Sequence, residues 1–559
     1  MIKFDEDKQK KQVEELHLEE EENVVKILSK RYSLPYLELS SIPINTDALR
    51  LIPEDVAKKA EVAGFRLIGK KIDVALVSPK KEETIMALKE LTQRGYKPEP
   101  YMVSQRSIHH AWERYAEISF AKETEAGVLE IAHEQLASFM EELKSFNDLQ
   151  NLIKESLLTK KKYHISQLLE ILLAGGITTG ASDIHIEPEE ESIKLRLRLD
   201  GVLQDLLFIE HKIYILMLSR IKLLSGLKLN VKNDAQDGRF SIKIGDADIE
   251  IRTSVIPGAY GESIVMRILN PSTLAVTFKD LGMHPNLIKI IGREIKKPNG
   301  MILNTGPTGS GKTTALYAFL KEIQTSKIKI ITIEDPIEYH LPGITQTQVD
   351  KKSDYNFAQG VRAVVRQDPD VLMVGEIRDS DTAQTAIHAA LTGHLVLSTL
   401  HTNNAAGAIP RLIDLGVNSK IISSAVNVAM AQRLVRRLCK VCKKKHEPTP
   451  GEKKIIENVI EHIPADYKTN TDGTYTLWEA GSCAECNNTG YKGRIGIFEA
   501  VLMDGNIEMV IKENPSEREI KKAAEPQGIP TMRQDGMLKV FEGITSLEEL
   551  ARVVGLEGE

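Results

Sequence analysis

The sequence predicts an α/β protein: a P-loop NTPase core with a mainly parallel sheet, preceded by a smaller α/β sensor-like domain and an N-terminal α/β domain, with a tetracysteine zinc element. Three observations predict it. Gly306-Pro307-Thr308-Gly309-Ser310-Gly311-Lys312-Thr313-Thr314 lies between an apolar, strand-like segment and a helix-forming one, the context a phosphate-binding loop requires. Apolar strands alternate with helical segments after it, which implies parallel pairing. The four cysteines form two C-x-x-C pairs, Cys439/Cys442 and Cys483/Cys486.

At 559 residues the chain is long enough for several cores. We place an N-terminal domain at 1–115, a helical linker at 116–162, a second N-terminal domain at 163–275 and the nucleotide domain at 276–559, with a tetracysteine subdomain at 433–496. The net charge of −6 offers no general attraction to nucleic acid. No apolar run reaches the length of a membrane span, and the polar start, Met1-Ile2-Lys3-Phe4-Asp5-Glu6, is no signal peptide. The expected location is therefore the cytoplasm, with any membrane contact peripheral.

In the N-terminal domain, Ile72 to Val77 reads as a strand. Residues 116–162 are rich in Glu, Lys, Leu and Ala and read as helix. In the second domain Ser166 to Leu173 is helical in pattern, and Gly175 and Gly176 are expected to end that helix. Ile193 to Asp200 alternates apolar with basic residues, so Arg196 and Arg198 share one strand face, either solvated or a contact surface. Asp200-Gly201 reads as a hairpin turn.

The nucleotide domain carries the chemistry. Backbone N–H groups of the loop and the following helix N-terminus suit a triphosphate, Lys312 can reach its β- and γ-phosphates, and the Thr313 hydroxyl can ligate Mg²⁺. The strand Ile328 to Ile333 delivers Glu334, and Val371 to Val374 delivers Gly375-Glu376, where the usual aspartate is replaced by glycine. Glu376 is assigned to the metal and Glu334 to polarising the attacking water. Arg378 lies beside Glu376, and Arg362 and Arg366 share a helix face, each suited to phosphate charge or to a salt bridge. His394 and His401 flank the strand Leu395 to Thr399 and fit either phosphate sensors or satisfied buried histidines. Two C-x-x-C hooks suit tetrahedral Zn²⁺, with a redox role the alternative; Asn487 to Arg494 reads as a knuckle-like turn.

In order, Gly306 to Thr314, Ile333-Glu334-Asp335-Pro336-Ile337-Glu338-Tyr339, Val374-Gly375-Glu376-Ile377-Arg378-Asp379 and Thr392-Gly393-His394 through His401-Thr402-Asn403 resemble the Walker A, aspartate, Walker B and histidine boxes of the secretion ATPase superfamily. Ala181 to Pro188 and Gln236 to Phe240 resemble its second N-terminal domain. The cysteines resemble the assembly branch, that of type II secretion and type IV pilus extension. The resemblance implies a homo-hexamer hydrolysing ATP beneath an inner-membrane platform protein, with trans contacts from Arg196, Arg198 and Arg220. The alternative is a ring translocase acting on DNA, which a basic pore strip would mark.

Overall fold

The computed structural model describes residues 21–39, 42, 44–117, 122–124, 128–130, 143, 145–158, 165–244, 247–270, 276–350, 353, 355–461, 463–467, 475–513 and 515–556. Apolar side chains collect in three regions of the chain. The first core runs from Val25 to Tyr115, the second from Leu143 to Ile268, and beyond Phe278 two large cores line the two faces of one sheet, with a small cluster of Ile463, Tyr467 and Leu538 beside them. No described helix is long and apolar enough to cross a membrane.

The first module pairs β1 (Val62–Ile68) antiparallel to β2 (Lys71–Leu76), which pairs parallel with β3 (Lys97–Met102) across the crossover helix α1 (Glu82–Gln93). Helix α2 (Gln105–Glu113) begins where the Ser104 hydroxyl accepts the Ser107 N–H at 3.1 Å, satisfying an end that would otherwise lack a partner.

Short strands β4 (Lys122–Thr124) and β5 (Val128–Glu130) follow, then helices α3 (Phe146–Leu158) and α4 (Ile165–Thr178). Strands β6 (Asp183–Pro188), β7 (Ile193–Leu199) and β8 (Val202–Ile209), helix α5 (His211–Leu224) and strands β9 (Gln236–Ile244), β10 (Ala247–Gly258) and β11 (Gly261–Leu269) complete the second module. Its sheet has the order β4-β5-β9-β10-β11-β6-β7-β8.

The expected helix over 116–162 is corrected here. Only α3 is a long helix in the described part of that span, because β9 presents an open edge at Ser241–Lys243 and β5 pairs along it; much of 118–144 lies outside the described residues. A second correction concerns Gly175 and Gly176, which do not end their helix. A Cβ at Gly175 would lie 2.2 Å from the Leu149 side chain, so this glycine lets α4 approach α3. The stop is Gly180, at φ +71°. Asp200 and Gly201, both at positive φ, form the anticipated hairpin turn between β7 and β8.

The third module holds β12 (Gly300–Thr305), helix α6 (Lys312–Ile323), β13 (Ile330–Glu334), β14 (Thr345–Gln348), helix α7 (Phe357–Val365), β15 (Val371–Val374), helix α8 (Ser380–Leu391), β16 (Leu395–Leu400) and β17 (Val426–Leu438). A two-stranded insert, β18 (Lys444–His446) with β19 (Leu477–Glu479), precedes β20 (Tyr491–Leu502), and helices α9 (Met532–Phe541) and α10 (Leu547–Val554) close the chain. The order is β14-β13-β15-β16-β12-β17-β20, parallel except for β20. Every residue of β12, β13, β15 and β16 is buried, as expected of strands covered on both faces. Parallel strands end on one side, so the loops after β12, β13, β15 and β16 open at the same edge.

Candidate nucleotide site

The loop after β12 is shaped by its glycines and by a floor. Gly306, Gly309 and Gly311 have φ of +148°, +78° and +87°, and a Cβ at Gly306 would fall 2.5 Å from the Gln432 carbonyl oxygen. Gln432, on neighbouring β17, accepts from Asn304 Nδ2 at 2.9 Å. Lys312 opens α6 and folds back onto its own loop, donating to the Gly306 and Pro307 carbonyls at 2.8 and 2.9 Å. Burial lowers its pKa, and the charge of nearby Glu376 opposes that shift. Two buried polar atoms at this loop, Ser310 Oγ and Asn304 Oδ1, have no hydrogen-bond partner among the described residues. A phosphate is chemically suited to a loop that offers a lysine, a spare hydroxyl and the N–H groups of a helix start.

Glu376 follows β15, which is separated from β12 by the single strand β16, hence by about 10 Å in the sheet plane. Its carboxylate pairs with Arg378 and lies 3.5 Å from His401 Nε2. Lys312, Glu376, Arg378 and His401 therefore gather at one edge. His394 does not join them. It precedes β16, at the opposite end of that strand, where its ring faces the Ala389 carbonyl and its own carbonyl accepts the Gly300 N–H.

Glu334 is buried and engaged. Tyr317, on α6, donates its hydroxyl to Oε2, while Thr332 and Gln346 donate to Oε1 at 2.5 and 3.1 Å. Burial, and then the carboxylate itself, pushes the Tyr317 phenol far above its ordinary value, so it remains a donor. Neither Tyr317 nor Gln346 was singled out from the sequence. A tyrosine on the phosphate-loop helix is silent until the strand order places it over Glu334.

The arginines expected to act in trans all lie in the second module. Arg196 pairs with Glu187 and Asp205, and Arg198 with Asp183, all within their own sheet; Arg220 lies on α5. Arg252 on β10 crosses to the nucleotide module. It donates to the Ile337 carbonyl at 2.7 Å and to Glu338 at 2.9 Å, on the segment that follows Glu334.

The four cysteines converge although 40 residues separate the hooks. Their sulfurs lie 3.8 Å (Cys439–Cys483), 3.7 Å (Cys442–Cys486) and 3.6 Å (Cys483–Cys486) apart. A tetrahedron with metal–sulfur bonds of about 2.3 Å has edges of about 3.8 Å, so the donor set fits Zn²⁺. None of the four forms a disulfide, and the Gly490 N–H donates to Cys486 Sγ at 3.2 Å.

Residues 159–552 match the type II/IV secretion system protein family, and residues 32–121 match the MshEN domain. The chain is 37% identical over 540 residues to the type IV pilus assembly ATPase PilB of Myxococcus xanthus, covering 95% of this chain and 91% of that protein. The chain belongs to the type II/IV secretion system protein family. This secretion-family chain is also 44% identical over 389 residues to the type II secretion system protein E of Pseudomonas aeruginosa, covering 70% and 75% of the two chains. With the type II secretion system protein E of Dickeya dadantii it shares 39% over 520 residues, 92% of this chain and 99% of that one. It is an ATP hydrolase, as family relatives are named ATPases. Among solved structures, the ATPase DotB of Yersinia pseudotuberculosis superposes with a TM-score of 0.50 at 18% identity, covering 70% and 94%, a likeness of fold.

Proposed function

We propose that the chain is a cytoplasmic hexameric motor that hydrolyses ATP to power assembly of a type IV pilus or a type II secretion pseudopilus, through an inner-membrane platform protein to which it is peripheral. The observation that carries the reading is the convergence of Lys312, Glu376 and His401 at one sheet edge, in a chain whose relatives over nearly its whole length are named for these machines.

Residues 306–314 would hold the phosphates, with Lys312 released from its own carbonyls to bind them and Thr313 offering its hydroxyl to Mg²⁺. The metal neutralises charge on the phosphates when bound. The water-orienting role expected of Glu334 moves to Glu376 in this reading. Three donors already occupy the Glu334 carboxylate, whereas Glu376 meets Arg378 and His401. Glu334 then serves as a fixed post between α6 and the segment that Arg252 grips. Cys439, Cys442, Cys483 and Cys486 would hold structural Zn²⁺, joining the ends of β17 and β20.

ATP turnover by Lys312→Ala and Glu376→Gln tests the reading. Each should lose about 10²-fold or more in kcat. Wild-type rates in both variants would remove this loop and acid from the reaction.

A further inference from the structure

The segment after His401 crosses the sheet edge as a strap, and both of its sides are tied. Thr402 is fastened to Thr305, the last residue of β12: its N–H donates to Thr305 Oγ1 at 2.9 Å, and Thr305 Oγ1 donates back to the Thr402 carbonyl at 3.0 Å. Asn404 folds the strap by accepting the Gly407 N–H at 2.9 Å and donating to Glu517 at 2.6 Å. The far tie is Glu499, on β20. Its Oε1 accepts the Ala405 N–H at 2.8 Å, and its Oε2 accepts the Met532 N–H at 3.0 Å.

Strand register explains the reach. Thr305 pairs with Leu400 on one side and Ala431 on the other, and Ala431 pairs with Glu499. Leu400, Thr305, Ala431 and Glu499 thus form one row across four strands. Directly paired residues point to the same face, so Glu499 projects where Thr305 does. The strap leaves β16 at His401, passes the ends of β12 and β17, and is gripped from β20. Ala405 and Ala406 are buried along the way. A carboxylate holding two backbone N–H groups is a strong, directional clamp, and burial raises its pKa while those two N–H groups oppose the rise.

We infer that Glu499 is a positioning residue for ATP hydrolysis: by clamping the strap at Ala405 against α9, it holds His401 facing Glu376. It touches neither phosphate nor metal. Small errors of placement at a reacting group are costly, on the order of 10²-fold for about 1 Å. Because the clamp lies off the phosphate loop, its loss falls on turnover and leaves ATP binding.

The inference rests on the proposed ATPase reading, and the experiment separates the two. Wild-type protein, Glu499→Ala, Glu499→Gln and Glu517→Ala are compared by steady-state ATPase rate, by fluorescent ATP-analogue affinity and by hydrogen exchange over residues 401–407. Wild-type protein without hydrolysis overturns the ATPase reading. With wild-type hydrolysis intact, Glu499→Ala should lose roughly tenfold to a hundredfold in kcat, with affinity within about twofold and faster exchange in the strap. Glu499→Gln keeps one acceptor and should recover part of the rate. A parallel loss of affinity and kcat, or unchanged kcat, overturns the positioning role. Should Glu499 variants not fold, the surface variant Glu517→Ala loosens the same strap; an unchanged rate and unchanged exchange there would overturn it as well.

Discussion

Glu334 is held by three donors, and that arrangement predicts what its neighbours do. Tyr317→Phe removes one donor and leaves a buried carboxylate oxygen short of a partner, at a cost of about 1–3 kcal/mol. Urea denaturation should report that loss, with ATP-analogue affinity little changed because the loop glycines and Lys312 keep their places. A stability within error of wild type would mean water replaces the phenol and the post is not rigid. At this scale the phosphate loop and the acids were legible because glycine, lysine and glutamate stand in a fixed linear order. Tyr317, Gln346, Gln432 and Arg252 were not, since each acts across strands that the chain visits in a different order. Arg196 and Arg198 look free in sequence; only the register with β6 and β8 reveals Glu187, Asp183 and Asp205 beside them.

The strands of the nucleotide module were readable because each is a short apolar run between turn signals, and all reach the same edge. Elements whose form depends on a partner were not: β4 and β5 exist by pairing beside β9, and within α4 Gly175 records the nearness of α3 while Gly176 records that of Ile184 and Ile268 in the sheet. The last helix, α10, illustrates the same dependence. Its Glu549 is buried between Arg436 of β17 and Arg552, with the Arg436 guanidinium donating at 2.7 Å and stacked 4.0 Å from the Tyr491 ring. Burial opposes ionisation, yet bonds from Arg552 and Arg436 hold the carboxyl below its ordinary value. A folded-state pKa below the unfolded one stabilises at neutral pH, and that stability is lost as pH falls from the ordinary carboxylate value through the folded one. Glu549→Gln should therefore destabilise by about 3–5 kcal/mol at pH 7, and the gap from wild type should narrow on acidification below about pH 4. Thermal melts at both pH values check this; a gap independent of pH would assign the loss to packing. The cysteine hooks make a separate prediction. Cys439→Ser with Cys442→Ser should abolish bound zinc by elemental analysis, and full retention would remove the site.

Across the whole molecule, polar contacts join the second and third modules both beside the nucleotide site and at the cysteine end. Arg252 reaches Ile337 and Glu338 beside the nucleotide site. At the cysteine end, the Asn487 side chain accepts the Phe146 N–H at 2.8 Å and the Gly493 N–H donates to Asp200 at 2.8 Å. Arg252→Ala should leave both modules folded but quicken hydrogen exchange over residues 335–339, an effect absent if the Arg252 contact is incidental. Both cysteine-end contacts issue from the turn that the second hook shapes, where Asn487 and Asn488 sit at φ +50° and +60°. Neutral bonds of this kind contribute about 1 kcal/mol each and charged ones about 1.5–3. Joints that weak let go singly, under loads a folded module withstands intact. Seen as mechanics, the knuckle is a detent: its two bonds set the resting contact between the modules and are weak enough to release before either module unfolds.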